Sequence, residues 1–98
     1  MNKQRIFEWD EEKAANNYRK HGILFEDAVT IFQDPNIYTE QDRFENGEYR
    51  WQSIGLVTPS LMLLLVAHTF QYDENTEIVR IISARRANKQ ERKKYGYR

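Results

Sequence analysis

Six side chains in this sequence combine reactive chemistry with suggestive spacing: Lys13, His21, Glu48, Arg50, Arg80 and Arg85. Together they offer bases, proton donors and fixed cations, the parts needed to cleave an RNA phosphodiester. That reaction needs a base for the ribose 2′-hydroxyl, an acid for the leaving oxygen, and cations for the growing phosphate charge. Lys13, Asn17 and His21 follow one another at steps of four, so a helix would line them along one stripe. An ordinary solvent-facing helix surface explains that stripe more simply. Glu48 and Arg50 are two apart, so a strand would point both from one face, with Gln52 following. A surface cross-strand ion pair is the plain alternative.

The third segment is Arg80-Ile81-Ile82-Ser83-Ala84-Arg85-Arg86-Ala87. An arginine between Val79 and Ile81 is costly inside a strand unless it is paired or reaches an open cleft. In a regular strand Arg80 and Arg85 point to opposite faces, so a shared site requires a bulge or twist between them. His68, late in an apolar strand, reads as a half-buried structural imidazole and only as a reserve acid or base. No HExxH, CxxC or EF-hand pattern is present, so no metal site is expected. No glycine-rich phosphate loop is present either, so no cofactor is expected. Ser60 and Ser83 have no evident His and acid companions for a serine hydrolase.

The elements that must carry these residues are legible in outline. Arg5 to Trp9 alternates as a short strand, and Trp9 itself reads as core. Asp10 suits a helix N-cap ahead of Glu11 and Glu12, and Gly22 suits the left-handed position that ends the helix after Lys20-His21. A second helix is expected from Phe25 to Phe32, buried through Phe25, Ala28, Val29 and Phe32 and stopped by Pro35. The period then changes to two. Strands are expected over Ile37–Gln41 and Glu48–Val57, joined by an Asn46-Gly47 hairpin. Thr58-Pro59-Ser60 turns into a strand over Leu61–Phe70, apolar on both faces as in the middle of a covered sheet. A last strand over Glu77–Ala84 leads to a basic helix from Asn88 to Tyr95. The order predicts one α+β domain over residues 1–98: an antiparallel sheet, two N-terminal helices packed on one face, and a C-terminal basic helix.

Composition sets the outer limits. The chain has 98 residues, 40% of them hydrophobic, enough for one core. It lacks cysteine, which excludes disulfides and thiolate metal sites and fits a reducing cytosol. The longest apolar run, Leu61 to Ala67, is too short to span a bilayer, and Met1 to Lys13 holds no apolar stretch of a secretory signal. A soluble, cytoplasmic protein is expected. Net charge is zero, yet residues 80–98 hold eight basic side chains against the single acid Glu91. That polarity suits a partner or substrate with negative charge, and it equally suits a solvated terminal helix.

The ordered set of motifs resembles the BrnT family of RelE/ParE-like toxins. The resemblance is carried by Phe7-x-Trp9-Asp10, Lys13, Asn17, Lys20-His21-Gly22-x-x-Phe25 and Ala28. It continues through Glu48-x-Arg50, Gly55, Arg80-Ile81-Ile82-Ser83-Ala84-Arg85-x-Ala87, Glu91-Arg92 and Tyr95. It implies a RelE-like α+β fold, growth-arresting ribonuclease activity, and neutralisation by a cognate DNA-binding antitoxin. Contact with operator DNA is implied only through the antitoxin complex. RNA is then the expected substrate, cut without a metal, with Lys13, His21, Glu48, Arg50, Arg80 and Arg85 as the expected catalytic residues. Two alternatives stay open: a non-catalytic module that binds nucleic acid or an acidic protein, and a ParE-like toxin acting on gyrase.

Overall fold

The structure, a computed structural model, describes residues 4–58 and 60–96. Pro59 of the turn before the central strand lies outside the described residues. So do the first three residues of the N-terminal reading and the last two of the basic tail. The elements run β1 (Gln4–Glu8), α1 (Glu11–His21), α2 (Phe25–Ala28), a 3₁₀ segment (Val29–Gln33), β2 (Tyr38–Glu45), β3 (Glu48–Val57), β4 (Met62–Asp73), β5 (Thr76–Arg86) and α3 (Lys89–Tyr95).

The local signals act where the sequence put them. The Asp10 carboxylate accepts from the amides of Glu12 and Lys13 at 2.8 and 3.1 Å. Gly22 ends α1 at φ 71°, a conformation open to glycine because it has no Cβ to clash. Asn46 and Gly47 both take positive φ between β2 and β3, as a two-residue hairpin turn requires. At α3, Asn88 and Glu91 close a reciprocal capping box.

All five strands form one sheet in the order β1-β5-β4-β3-β2. From β2 to β5 neighbours are antiparallel, but β1 joins the outer side of β5 in parallel. The wholly antiparallel sheet expected from the sequence is therefore corrected to a mixed one. The reason is topological: α1 and α2 carry the chain from β1 to the far edge, and the β2–β5 meander brings its last strand back beside β1. Parallel neighbours need such a long crossover.

Two apolar clusters result. The larger gathers Ile23, Phe25, Ala28 and Ile31 with Val57, Leu64, Val66, Val79, Ile81 and Ala84. The smaller holds Ile54, Leu63 and Leu65, against which Leu56, Ala87 and Tyr95 pack. Leu64 and Val66 serve one cluster while Leu63 and Leu65 serve the other, which is why β4 is apolar at consecutive positions. The face of the smaller cluster carries α3.

The expected second helix is shorter than its pattern. After Ala28 it tightens to 3₁₀ geometry, and at three residues per turn Phe25, Ala28 and Ile31 fall on one line. These three are fully buried, whereas Val29 and Phe32 are only partly so. The tight segment then lies directly on β3. A Cβ at Gly55 would sit 2.9 Å from the Ile31 Cβ, so glycine is needed for this approach. Asp34 locks the junction, accepting from the Leu56 amide and the Tyr95 hydroxyl. Burial raises its pKa, but the bonds from Tyr95, Leu56 and Asn36 outweigh burial and hold the carboxyl below its ordinary value.

Candidate active site

A β-bulge decides which arginines share a face. The pairing of β4 with β5 shifts between Ala67, opposite Ser83, and His68, opposite Ile81. Ile82 is thus an extra residue in β5. Val79, Ile81 and Ala84 all reach the larger core cluster, so the side-chain alternation slips by one across the bulge. Arg80, Ser83 and Arg85 consequently share the opposite face. In a regular strand the two arginines would be divided between faces.

On that face Arg80 donates to the Glu48 carboxylate, an ion pair formed across β4. Thr69 is paired with Arg80 in the sheet register and is buried beneath them. Arg50 follows Glu48 on the same face. Its side chain is only 17% exposed, with Nη1 3.7 Å from Glu45. The Arg50 Nε and the Thr69 Oγ1 are buried without a hydrogen-bond partner. Buried polar atoms are nearly always satisfied, so two such atoms beside one ion pair mark a place not built for stability alone. The embedded Arg80 is reconciled with its strand by its pairing and by a side chain that is one-third exposed.

Arg85 shares the face but not the same partner. Its guanidinium meets Glu91 of α3 at 2.9 Å through each of two nitrogens. This two-pronged bond raises the arginine pKa further, and it lowers that of Glu91. Glu91 also accepts from the Asn88 amide, so one carboxylate caps α3 and fastens it to β5. Any anion gripped by Arg85 must compete with Glu91.

The α1 stripe divides. Asn17 is buried, not solvent-facing: its amide donates to the Ala84 carbonyl at 2.9 Å and accepts from the Ala84 amide at 3.0 Å. The reason is that β1 pairs β5 only as far as Arg80. Beyond it the free edge of β5 has an unpaired peptide, and Asn17 takes the place of the missing strand. Lys13 and His21 flank Asn17 and line, with Lys20, a groove of about 230 Å³ floored by Ile82 and Ser83. They are therefore set at the β5 edge and have no bond to Glu48, Arg50, Arg80 or Arg85.

His68 is fully buried rather than half-buried. Its Nε2 lies 2.7 Å from Ser53 Oγ, which in turn meets Thr39. Phe32 and Phe70 approach it edge-on. Burial pushes its pKa down to about 4, so it is a neutral core group and leaves the site. Sequence reasoning missed Thr69, whose signal was a lone hydroxyl in an apolar strand. It also missed Glu91 as the partner of Arg85. Among the described residues no three His, Asp or Glu side chains converge as a metal-ligand set, and no helix is long and apolar enough to cross a membrane.

With this geometry in view, residues 9–91 match the family model described as "Ribonuclease toxin, BrnT, of type II toxin-antitoxin system". The matched span runs from Trp9 to Glu91 and contains Lys13, His21, Glu48, Arg50, Arg80 and Arg85. A search among curated proteins gives no match.

Proposed function

This chain belongs to the BrnT family, ribonuclease toxins of type II toxin–antitoxin systems, and from that premise we propose that it is an endoribonuclease whose site is the Glu48–Arg50–Arg80 face. The observation that carries this reading is the convergence of one carboxylate and two arginines from β3 and β5 on a single sheet face, over the buried Thr69. Arg80 and Arg50 hold the scissile phosphate, since guanidinium groups stay charged and can bind two oxygens at once. Glu48, released from Arg80 by the incoming phosphate, takes the 2′-hydroxyl proton. The 2′-oxygen bonds to phosphorus, the 5′-oxygen departs and draws its proton from solvent, and a 2′,3′-cyclic phosphate remains.

Arg85, held by Glu91, positions the far end of that face and exchanges Glu91 for phosphate when RNA is bound. His21 and Lys13 lie at the β5 edge and are less suited to the proton transfers than Glu48, which already touches a phosphate-binding cation. Arginines fill the role of the stabilising cations, so the reaction needs no metal. The fold reads as RelE/ParE-like, supported by the antiparallel β2–β5 run and the basic helix α3. The toxin acts in the cytoplasm on RNA. Its cognate antitoxin is a DNA-binding protein through which alone the pair reaches operator DNA.

The test is cleavage of a short RNA beside its counterpart with a 2′-deoxy sugar at the mapped cut position, with and without EDTA. The RNA alone should be cut, in both conditions. Equal cutting of both strands refutes the proposed nucleophile. Loss of cutting in EDTA refutes the metal-free chemistry.

A further inference from the structure

Beyond the catalytic face lies the groove at the free edge of β5. We propose that Lys13, Lys20 and His21 form there a second subsite that holds a phosphate of the same RNA strand, flanking the one that is cut. This inference rests on the reading of the chain as a ribonuclease, and it removes Lys13 and His21 from the proton transfers.

Three observations carry it. First, among the described residues the groove is lined by the cations Lys13 and Lys20, beside His21, and by no carboxylate. The two acids of α1, Glu11 and Glu12, stand in its first turn, and Glu11 lines a different hollow, with Tyr18 and Leu24. Second, the groove is built and not merely a patch of exposed lysines. Asn17 clamps α1 to the Ala84 peptide by two hydrogen bonds and adds a third to the Ile23 carbonyl. The wall bearing the cations is thereby fixed in distance from the strand. Third, the groove and the arginine face are continuous. Ser83 forms part of the groove floor, and the bulge puts it on the face of Arg80 and Arg85. β1 stops opposite Arg80, so among the described residues no strand stands between them. Arg80 and Ser83 are three residues apart, about 10 Å along a strand. A single nucleic-acid strand that leaves the Arg80 phosphate toward the β5 edge meets the lysines next.

The bulge thus has two consequences for one substrate. It gathers the arginines, and it opens the edge over which the strand continues. Phosphate contacts of this kind add affinity and register without reading bases.

The experiment uses the whole protein and two uncuttable probes, a 2′-O-methyl RNA oligonucleotide and a 2′-O-methyl dinucleotide. The Lys13→Gln/Lys20→Gln variant should bind the oligonucleotide roughly tenfold more weakly, with a salt-dependence slope shallower by about 0.7–1.4, as loss of one or two single-strand phosphate contacts requires. Its affinity for the dinucleotide should stay that of the unaltered protein. On cuttable RNA, KM should rise more than kcat falls. Lys20→Gln alone provides the same readings should the double variant unfold. Unchanged oligonucleotide affinity and slope overturn the subsite. So does an equal loss for the dinucleotide, which would put these lysines at the scissile phosphate. So does a loss confined to binding of the cognate antitoxin, which would assign the groove to a protein partner. If the unaltered protein binds and cuts no RNA at all, the ribonuclease reading itself falls with the subsite.

Discussion

Glu48 on β3 and Arg80 on β5 meet as an ion pair across β4, on the sheet face opposite the larger core cluster. Neither is buried outright; their side chains are 26% and 34% exposed. A partly exposed pair of this sort adds little to stability. Arg80→Ala should therefore change folding free energy by no more than about 1 kcal/mol, yet slow RNA cleavage by about 10²–10³-fold. Glu48→Gln retains a hydrogen-bond acceptor for Arg80 but cannot act as the base, and should slow cleavage by about 10²–10⁴-fold. Single-turnover cleavage and urea denaturation of the same preparations separate the two effects. A Glu48→Gln protein that cuts at full rate means that another group takes the proton.

The Arg85–Glu91 bond should make the docking of α3 acid-sensitive. Arg85 lowers the Glu91 pKa in the folded chain below its ordinary 4.5. A depressed carboxyl pKa stabilises the fold above the unfolded value and loses that contribution as pH falls through the folded one. Amide exchange in α3 should thus accelerate below about pH 4.5, the ordinary value from which Glu91 is lowered. Glu91→Gln keeps the cap hydrogen bonds but not the charge, and its exchange should lose most of this pH dependence. An unchanged profile in the variant would assign the acid response to another carboxyl.

Asn17 provides a stability test unconnected with chemistry. Asn17→Ala leaves the amide and carbonyl of Ala84 without their partner at a buried strand edge. Each unsatisfied backbone group costs about 1–3 kcal/mol, so the two Ala84 groups together should cost about 2–6 kcal/mol in denaturant unfolding. A loss below about 0.5 kcal/mol, the size of an ordinary surface change, would mean that water replaces the side chain without penalty.

His68 should impose a second pH dependence, of known sign. Its pKa falls from 6.5 to about 4 on burial, so between these values the unfolded chain binds the proton and the folded chain does not. The contribution of a neutral His68 is complete above pH 6.5 and declines as pH falls towards 4. Its full extent is about 3 kcal/mol, from roughly 1.4 kcal/mol per pH unit. Unfolding free energies measured across this range should fall less steeply for His68→Phe than for the native chain. Parallel curves would show that the imidazole accepts its proton without unfolding the core.

The parts of this protein that depend on neighbours in the chain could be read from the chain. Asp10 and Gly22 bound α1 and Asn46-Gly47 turns β2 into β3, because caps and tight turns are satisfied within a few residues. Alternation put Glu48, Arg50 and Gln52 on one face, and the doubly apolar β4 announced a strand covered on both sides. The shortened second helix was the local misreading: Ile31 of its 3₁₀ segment lies against Gly55, a partner 24 residues away that the helical pattern does not show. What the tertiary structure alone decided lies in register. The extra residue at Ile82 exists only relative to β4, and it turns Arg80 and Arg85 to a common face. That β1 ends opposite Arg80 exists only relative to β5, and it leaves an open edge for Asn17 to fill. Periodicity along one strand cannot show either, because hydrogen-bond pairing between strands distant in sequence sets both.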